Sequence, residues 1–384
     1  MTFQTKARPT QATINLDTLA ANFHSAKKFI GLDVKYMGVV KADAYGHGAS
    51  ECAKRLESEG IDWFGVAIPE EGVELRQVGI ETPILCLGSF WRGQEALVVQ
   101  NRLTPVIYDA DLISSLNGYL SDKNLTTEVH VKIDTGMNRV GVPYDGAAGF
   151  AKLLTSSKNL RVTGLLTHFA SAENPAENDF TGLQIERFNT ACAAFRKAGH
   201  NPELIDLANS PGAISHPESR GNMVRLGGAL YGLLDDILPA ETKRPLLKPV
   251  MSLRSRIAYL RQVPANESLG YGRTYFTTRD STIALIPIGY ADGYPRRLSN
   301  CGNAVVKGRI VPVVGRISMD WTLLDVTDVP NAAADDDVIL IGGESGCSVT
   351  AADLAAELGT IGYEITCGIL PRVPRIFTGL RHST

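Results

Sequence analysis

The sequence lacks the marks of several large protein classes. It has no excess of positive charge: 38 lysines and arginines stand against 41 acidic residues, a formal net charge of -3. A nucleic-acid partner calls for a basic footprint, so none is expected. No apolar run approaches the length of a membrane span, so no membrane partner is expected either. The opening residues, MTFQTKARPTQ, hold no apolar signal core, which sets the expectation of a cytoplasmic protein. Cysteine is sparse. The six (Cys52, Cys86, Cys192, Cys301, Cys347 and Cys367) form no CxxC pair and no cluster with histidine. Such spacing offers no metal site, and the thiols read as free in a reducing compartment.

What the sequence does contain is an alternation. Its 384 residues exceed one ordinary core and suffice for two domains. Eight strand-like runs (YMGVV, WFGVA, PILCL, TPVIY, VHVKI, VTGLLT, ELIDL and MVRLG) alternate with helical patterns such as SECAKRLESEG and PEEGVELRQVG. Alternation of this kind favours parallel pairing, and eight such units close into a (β/α)8 barrel; a doubly wound open sheet is the alternative. ATINL leads to Asp17, read as the N-cap of a helix with Leu19, Phe23 and Ile30 on one face. In TEVHVKID, Val129, Val131 and Ile133 face one way, and Glu128, His130, Lys132 and Asp134 the other. Unpaired buried charge is costly, so this polar face predicts a polar site over the barrel. After LLDDILPAETKRPLLKP the chain turns strand-rich, with a single clear helix in TAADLAAELG. The fold expected is α/β: an N-terminal (β/α)8 barrel over residues 12–245 and a C-terminal mainly-β domain over 246–384, with residues 1–11 packing on the latter.

Residues 39–48, VVKADAYGHG, put one lysine at the end of an apolar run. Lys41 alone reads as a strand-end charge snorkelling to water. Partly desolvated at a barrel strand end, it reads as a nucleophilic amine. Other residues have bland readings too: Tyr271 as a turn-packing aromatic, Arg225 as a surface ion pair, His168 as a structural histidine, Met319 as core filler. Asp43 and His47 read as local structure.

VVKADAYGHGA resembles the pyridoxal phosphate (PLP) lysine motif of the alanine racemases. KIDTGMNRVG, GLLTHFASAE, DLANSPGA, NMVRLGGALYGL, GYGRTY, IGYADGYPR, VGRISMD and IGYEITCGILPRVPRIF also resemble motifs of that family, in its order, over residues 12–380. The resemblance implies that Lys41 holds PLP covalently and is the base toward D-alanine. Tyr271, from the other subunit of a homodimer, is then the base toward L-alanine. A planar carbanion must be reached from both faces, and two groups with unperturbed pKa values of about 10 can share that task. Arg225 is implied opposite the pyridine nitrogen, with His168 bonded to it. Tyr45, Asn209, Ser210, Gly227, Gly228 and Tyr363 are implied at the cofactor, mostly its phosphate. Arg139 and the partner's Met319 are implied at the substrate carboxylate. Lys132 matches a lysine that is carbamylated in many members; it could equally pair with Asp134 or Glu128. Tyr290, Arg296, Arg316 and Arg375 are implied along the substrate corridor. Three positions depart from the pattern: Gly228 replaces a bulkier residue, Ser318 a common cysteine, and Gly362 a common asparagine. The implied function is racemisation of alanine for peptidoglycan. Broader racemases of serine, lysine or arginine are an alternative. PLP decarboxylases place a carboxylate at the ring nitrogen, and PLP carrier proteins end after the barrel.

Overall fold

A computed structural model describes residues 8–379. The chain divides into two compact units. One comprises Leu19–Ala44 with Ala49–Leu247; the other comprises residues 8–18, Tyr45–Gly48 and 248–379. No helix among the described residues is long and apolar enough to cross a membrane.

The chain enters through β1 (Gln11–Asn15) and α1 (Leu16–Ile30). The cap of α1 is Asn15, whose side-chain oxygen accepts from the Thr18 N–H at 2.9 Å, and Asp17 lies inside the first turn. Leu19, Phe23 and Ile30 are buried.

In the first unit the strands are β2 (Lys35–Val39), β3 (Trp63–Val66), β4 (Ile84–Cys86), β5 (Leu103–Ile107), β6 (Thr127–Asp134), the two-residue β7 (Val142–Pro143), β8 (Leu160–Leu166), β9 (Leu204–Asp206) and β10 (Met223–Leu226). They pair in the order β10-β2-β3-β4-β5-β6-β8-β9, all parallel, with β7 beside β6. This is the (β/α)8 barrel, nearly closed. At the β9–β10 seam, Asn222 takes the place of a ladder. Its side chain accepts from the Ile205 N–H at 2.8 Å and donates to the Glu203 carbonyl at 2.7 Å.

The barrel is filled, not hollow. Met37, Trp63, Leu85, Val106, Leu166, Leu204 and Met223 pack as one buried cluster, as expected for inward residues of parallel strands. The polar face of β6 is only partly a site. Glu128 lies toward the N-terminal end and pairs with Arg161. His130 is fully buried against Trp63, with ring centroids 5.3 Å apart, and neither of its nitrogens has a hydrogen-bond partner among the described residues. Burial holds its pKa down at about 3, so it is neutral. Its ring fills the space left by Gly164 on β8, where a Cβ would meet it at 2.5 Å. Only Lys132 and Asp134 reach the C-terminal rim.

In the second unit, β1 pairs antiparallel with Met251–Arg256 and parallel with Arg375–Thr378. Both ends of the described chain therefore meet in this sheet rather than in the barrel. Asp337–Glu344, Asn303–Val306 and Arg309–Pro312 extend it. A second sheet joins Tyr259–Val263, Ser281–Ile286 and Thr322–Asp325. The run SRIAYLRQV thus splits between two sheets. Helix Ala351–Leu358 starts at a Thr350 capping box, and a short helix, Gly362–Cys367, follows that the apolar pattern does not announce. Of the N-terminal residues, 1–7 lie outside the described residues, while Arg8 and Thr10 bond to Asp292, Ser255 and the Pro287 carbonyl in this unit.

Candidate active site

Lys41 follows β2 at the C-terminal rim and opens a helical turn of unusual hand. Over Lys41–Gly46, the φ values of Ala42, Asp43, Ala44 and Tyr45 are +52 to +56°. A left-handed turn of L-residues costs roughly 1–2 kcal/mol per residue, so its surroundings must impose it. The Ala44 N–H donates to the Val40 carbonyl at 2.8 Å. Glu71, at the start of helix Pro69–Gln77, accepts from the Ala42 N–H and the Ala67 N–H, both at 2.7 Å. Asp43 accepts from the Ala49 N–H at 2.7 Å, and His47 Nδ1 lies 2.9 Å from the Tyr45 carbonyl. Asp43 and His47 are therefore local structure.

The centre of the rim is a buried charge cluster. Ladder register places Lys132, Leu166 and Asp206 in one row across β6, β8 and β9. Arg225, on β10, is buried and salt-bridged to the fully buried Asp206. It also donates to the Thr167 carbonyl at 2.9 Å, the Leu207 carbonyl at 3.2 Å and His168 Nδ1 at 3.2 Å. Because a guanidinium only donates, His168 Nδ1 must be the acceptor, which places the imidazole proton on Nε2. Burial, with Arg225, Lys132, Arg139 and Lys41 nearby, holds His168 well below the usual histidine range. Burial raises the Asp206 carboxyl, against the pull of Arg225. Lys132 is pulled down to about 7, first by burial and then by Arg225 and Arg139, against Asp206. Neither Asp134 nor Glu128 is its counter-charge: Asp134 accepts from the Gly136 and Asn138 N–H groups, and Glu128 is taken by Arg161.

Beneath the rim, Gln184 ties the loops after β6 and β8. It donates to Thr135 Oγ1 at 3.0 Å and to the His168 carbonyl at 3.2 Å, and accepts from the Ala170 N–H at 3.0 Å. Asp206, Glu71 and Gln184 escaped the sequence analysis. For Asp206 a signal existed, since an acid stands within the apolar run ELIDL, two residues from the inward Leu204. Gln184 and Glu71 lie on helices, where polar residues carry no such mark.

Anion donors collect after β9 and β10. Ser210 Oγ accepts from the Gly227 N–H at 2.9 Å and the Ala229 N–H at 3.4 Å. The Gly227 N–H, expected as a phosphate donor, is thus bonded to Ser210 within the chain. Asn209 caps the Gly212 N–H at 3.0 Å, so it orients the Ser210–Ser215 helix.

The second unit holds the remaining residues. Tyr45 and Tyr363 meet edge to face, ring centroids 5.4 Å apart. Tyr271 and Met319 are 72% and 53% exposed, too exposed for a packing aromatic or core filler. Tyr290 is also exposed. Arg296 and Arg316 line a hollow of about 290 Å³ with Arg297, Thr274, Ser299 and Asn300. Arg375, expected along the corridor, donates to the carbonyls of Gly46, Leu370, Val373 and Ile369 and so clamps backbone.

The set fits PLP, a phosphorylated aldehyde with a pyridine ring. A lysine, a serine hydroxyl and a donor-only arginine are present, and the cationic rim complements an anion. The family model for the alanine racemase N-terminal domain matches residues 14–235, and that for the C-terminal domain matches 250–377. An alanine racemase of Halothermothrix orenii is 42% identical over 373 residues, covering 96% of each chain. The solved alanine racemase of Clostridium difficile 630 superposes with a TM-score of 0.90 at 36% identity, over 97% of each chain. That of Bartonella henselae, with covalently bound pyridoxal phosphate, gives 0.86 at 29% identity, over 97% of this chain and 100% of that one.

Proposed function

The chain belongs to the alanine racemase family, and from that premise we propose that it is a PLP-dependent isomerase interconverting L- and D-alanine with two bases, Lys41 and Tyr271. The observation that carries this is the rim cluster, in which Arg225 is locked by Asp206 and backbone carbonyls with His168 at its side.

PLP, when bound, supplies an electron sink that lets the Cα proton of an amino acid depart. The chain's residues do the rest. Lys41 holds the aldehyde carbon and moves a proton on one face. Arg225 would face the pyridine nitrogen; a guanidinium donates hydrogen bonds and accepts none, so that nitrogen would stay an unprotonated acceptor and the sink would be weak. With a weak sink, Lys41 or the opposite base would return the proton quickly, which would favour racemisation over transamination. Ser210, through its hydroxyl, and Gly228 would hold the phosphate; Tyr45 and Tyr363 are assigned to the cofactor by resemblance alone.

The opposite face needs a second base. The exposure of Tyr271 and Met319 supports their service to another copy of the chain, so the working unit is a homodimer. His168, neutral and carrying its proton on Nε2, then assists the partner's Tyr271, and the partner's Met319 N–H receives the substrate carboxylate beside Arg139. The product supplies D-alanine for peptidoglycan.

Lys132 is proposed to be carbamylated. Its amine adds to carbon dioxide and releases a proton, and the new anion lies near Arg139 and Arg225, the two charges that disfavour its ammonium form. Carbamate forms from the neutral amine, so occupancy falls as pH drops below about 7. Carbon-13 bicarbonate should give a carbamate resonance that weakens in acid and is missing in Lys132→Met; its absence from the parent protein at pH 8 removes the assignment.

A substrate panel tests the function. Purified protein with PLP, assayed on L-alanine, serine, lysine and arginine by loss of optical rotation, should favour alanine in kcat/KM by roughly tenfold or more. Equal rates on serine or the basic amino acids reject alanine specificity.

A further inference from the structure

Arg8 lies outside both segments matched by the family models, yet its side chain is tied to the turn that bears Met319. Two loops of the second unit are zipped by backbone: the Tyr290 N–H donates to the Ser318 carbonyl at 3.1 Å and the Ala291 N–H to the Met319 carbonyl at 3.0 Å. Gly289 permits this approach, since a Cβ there would meet those carbonyl oxygens at 2.3 and 2.4 Å. The fully buried Asp292 closes the turn, accepting from the Gly289 N–H at 3.0 Å. Arg8 grips Asp292 with both terminal nitrogens at 2.6 Å. Arg372 also reaches this group, its Nε 3.2 Å from Asp292 and its NH2 group 2.8 Å from Asp320, the residue after Met319.

We propose that Arg8 and Arg372 are positioning residues which, through Asp292 and Asp320, set the Met319 N–H that receives the substrate carboxylate. This rests on the role given to Met319 above. A bidentate arginine–carboxylate pair fixes direction as well as distance. A buried carboxylate deprived of its main partner is strongly unfavourable, so the turn must shift to hydrate or re-pair it. Burial pushes the Asp292 carboxyl up, and the bonds from Arg8 and the Gly289 N–H, with Arg372, more than reverse it.

The test uses the PLP-loaded enzyme and propionate, which keeps the carboxylate of alanine and lacks the amine. Arg8→Ala should raise KM for alanine and weaken propionate binding, measured by calorimetry, by the same factor of roughly five to tenfold, with kcat within about twofold and the cofactor absorbance unchanged. Arg8→Lys should recover part of the loss. Arg372→Ala should act in the same direction and carries the test if Arg8→Ala does not fold. Met319→Pro deletes the N–H itself. Propionate affinity lowered in Met319→Pro but unchanged in folded Arg8→Ala and Arg372→Ala overturns this inference alone. Affinity unchanged in Met319→Pro overturns the role of Met319 and the inference with it.

Discussion

Lys41→Ala is expected to lower racemisation of alanine by more than ~10⁴-fold and to abolish the visible colour of bound cofactor. On the proposed mechanism two functions would leave with one side chain: the covalent hold on the cofactor and the proton carrier on one face. A positioned acid or base alone contributes roughly 10²–10⁴; losing the covalent step compounds that. The loss should be chemical rather than structural. The left-handed turn after Lys41 is held by the Val40 carbonyl and the Glu71 carboxylate, through the Ala44 and Ala42 N–H groups of the backbone. Thermal unfolding of Lys41→Ala should therefore match the parent within a few degrees, and a small primary amine added to the assay should restore a fraction of the rate. A coloured, fully active Lys41→Ala enzyme would remove Lys41 from the mechanism.

Tyr271→Phe removes one oxygen and leaves the ring. Tyr271 is 72% exposed, so stability should move by no more than about 0.5 kcal/mol. The cofactor colour should persist, because Lys41 is intact. Racemisation should fall roughly 10²–10⁴-fold in both directions, since each direction needs one group to take the proton and the other to return it. The informative result is the asymmetry in deuterium oxide. The Cα proton of D-alanine should still exchange, carried by Lys41, while that of L-alanine should not. Exchange of both isomers at the parent rate, or full racemisation, would exclude Tyr271 as the second base.

Much of the barrel was legible because its strands carry a physical signature. All eight apolar runs became barrel strands, each short and flanked by a helical pattern or turn residues. Lys41 and Arg225 were legible through resemblance, and geometry then showed what local patterns could not. The alternation in TEVHVKID correctly put four polar residues on one face. It could not say that the face passes from solvent at Glu128, through a dry layer at His130, to the rim at Lys132. Height in a barrel depends on stagger between strands, which no single strand records. Arg375 looked like a corridor cation; only the fold shows four carbonyls converging on it.

By itself, the sequence determined the elements and the chemical vocabulary. Strand and helix follow from hydrophobic period and local propensity, which act over a few residues. A lysine, a tyrosine, a histidine and several arginines in family-like motifs set what reactions are available. Tertiary structure decided which groups meet. Asp206 became the partner of Arg225, Asp292 that of Arg8, and β1 joined the sheet shared with Arg375–Thr378. Those pairings close loops of 19 to more than 280 residues. Their geometry follows from the packing of the entire chain, because a buried charge is tolerated only where the fold delivers its counter-charge.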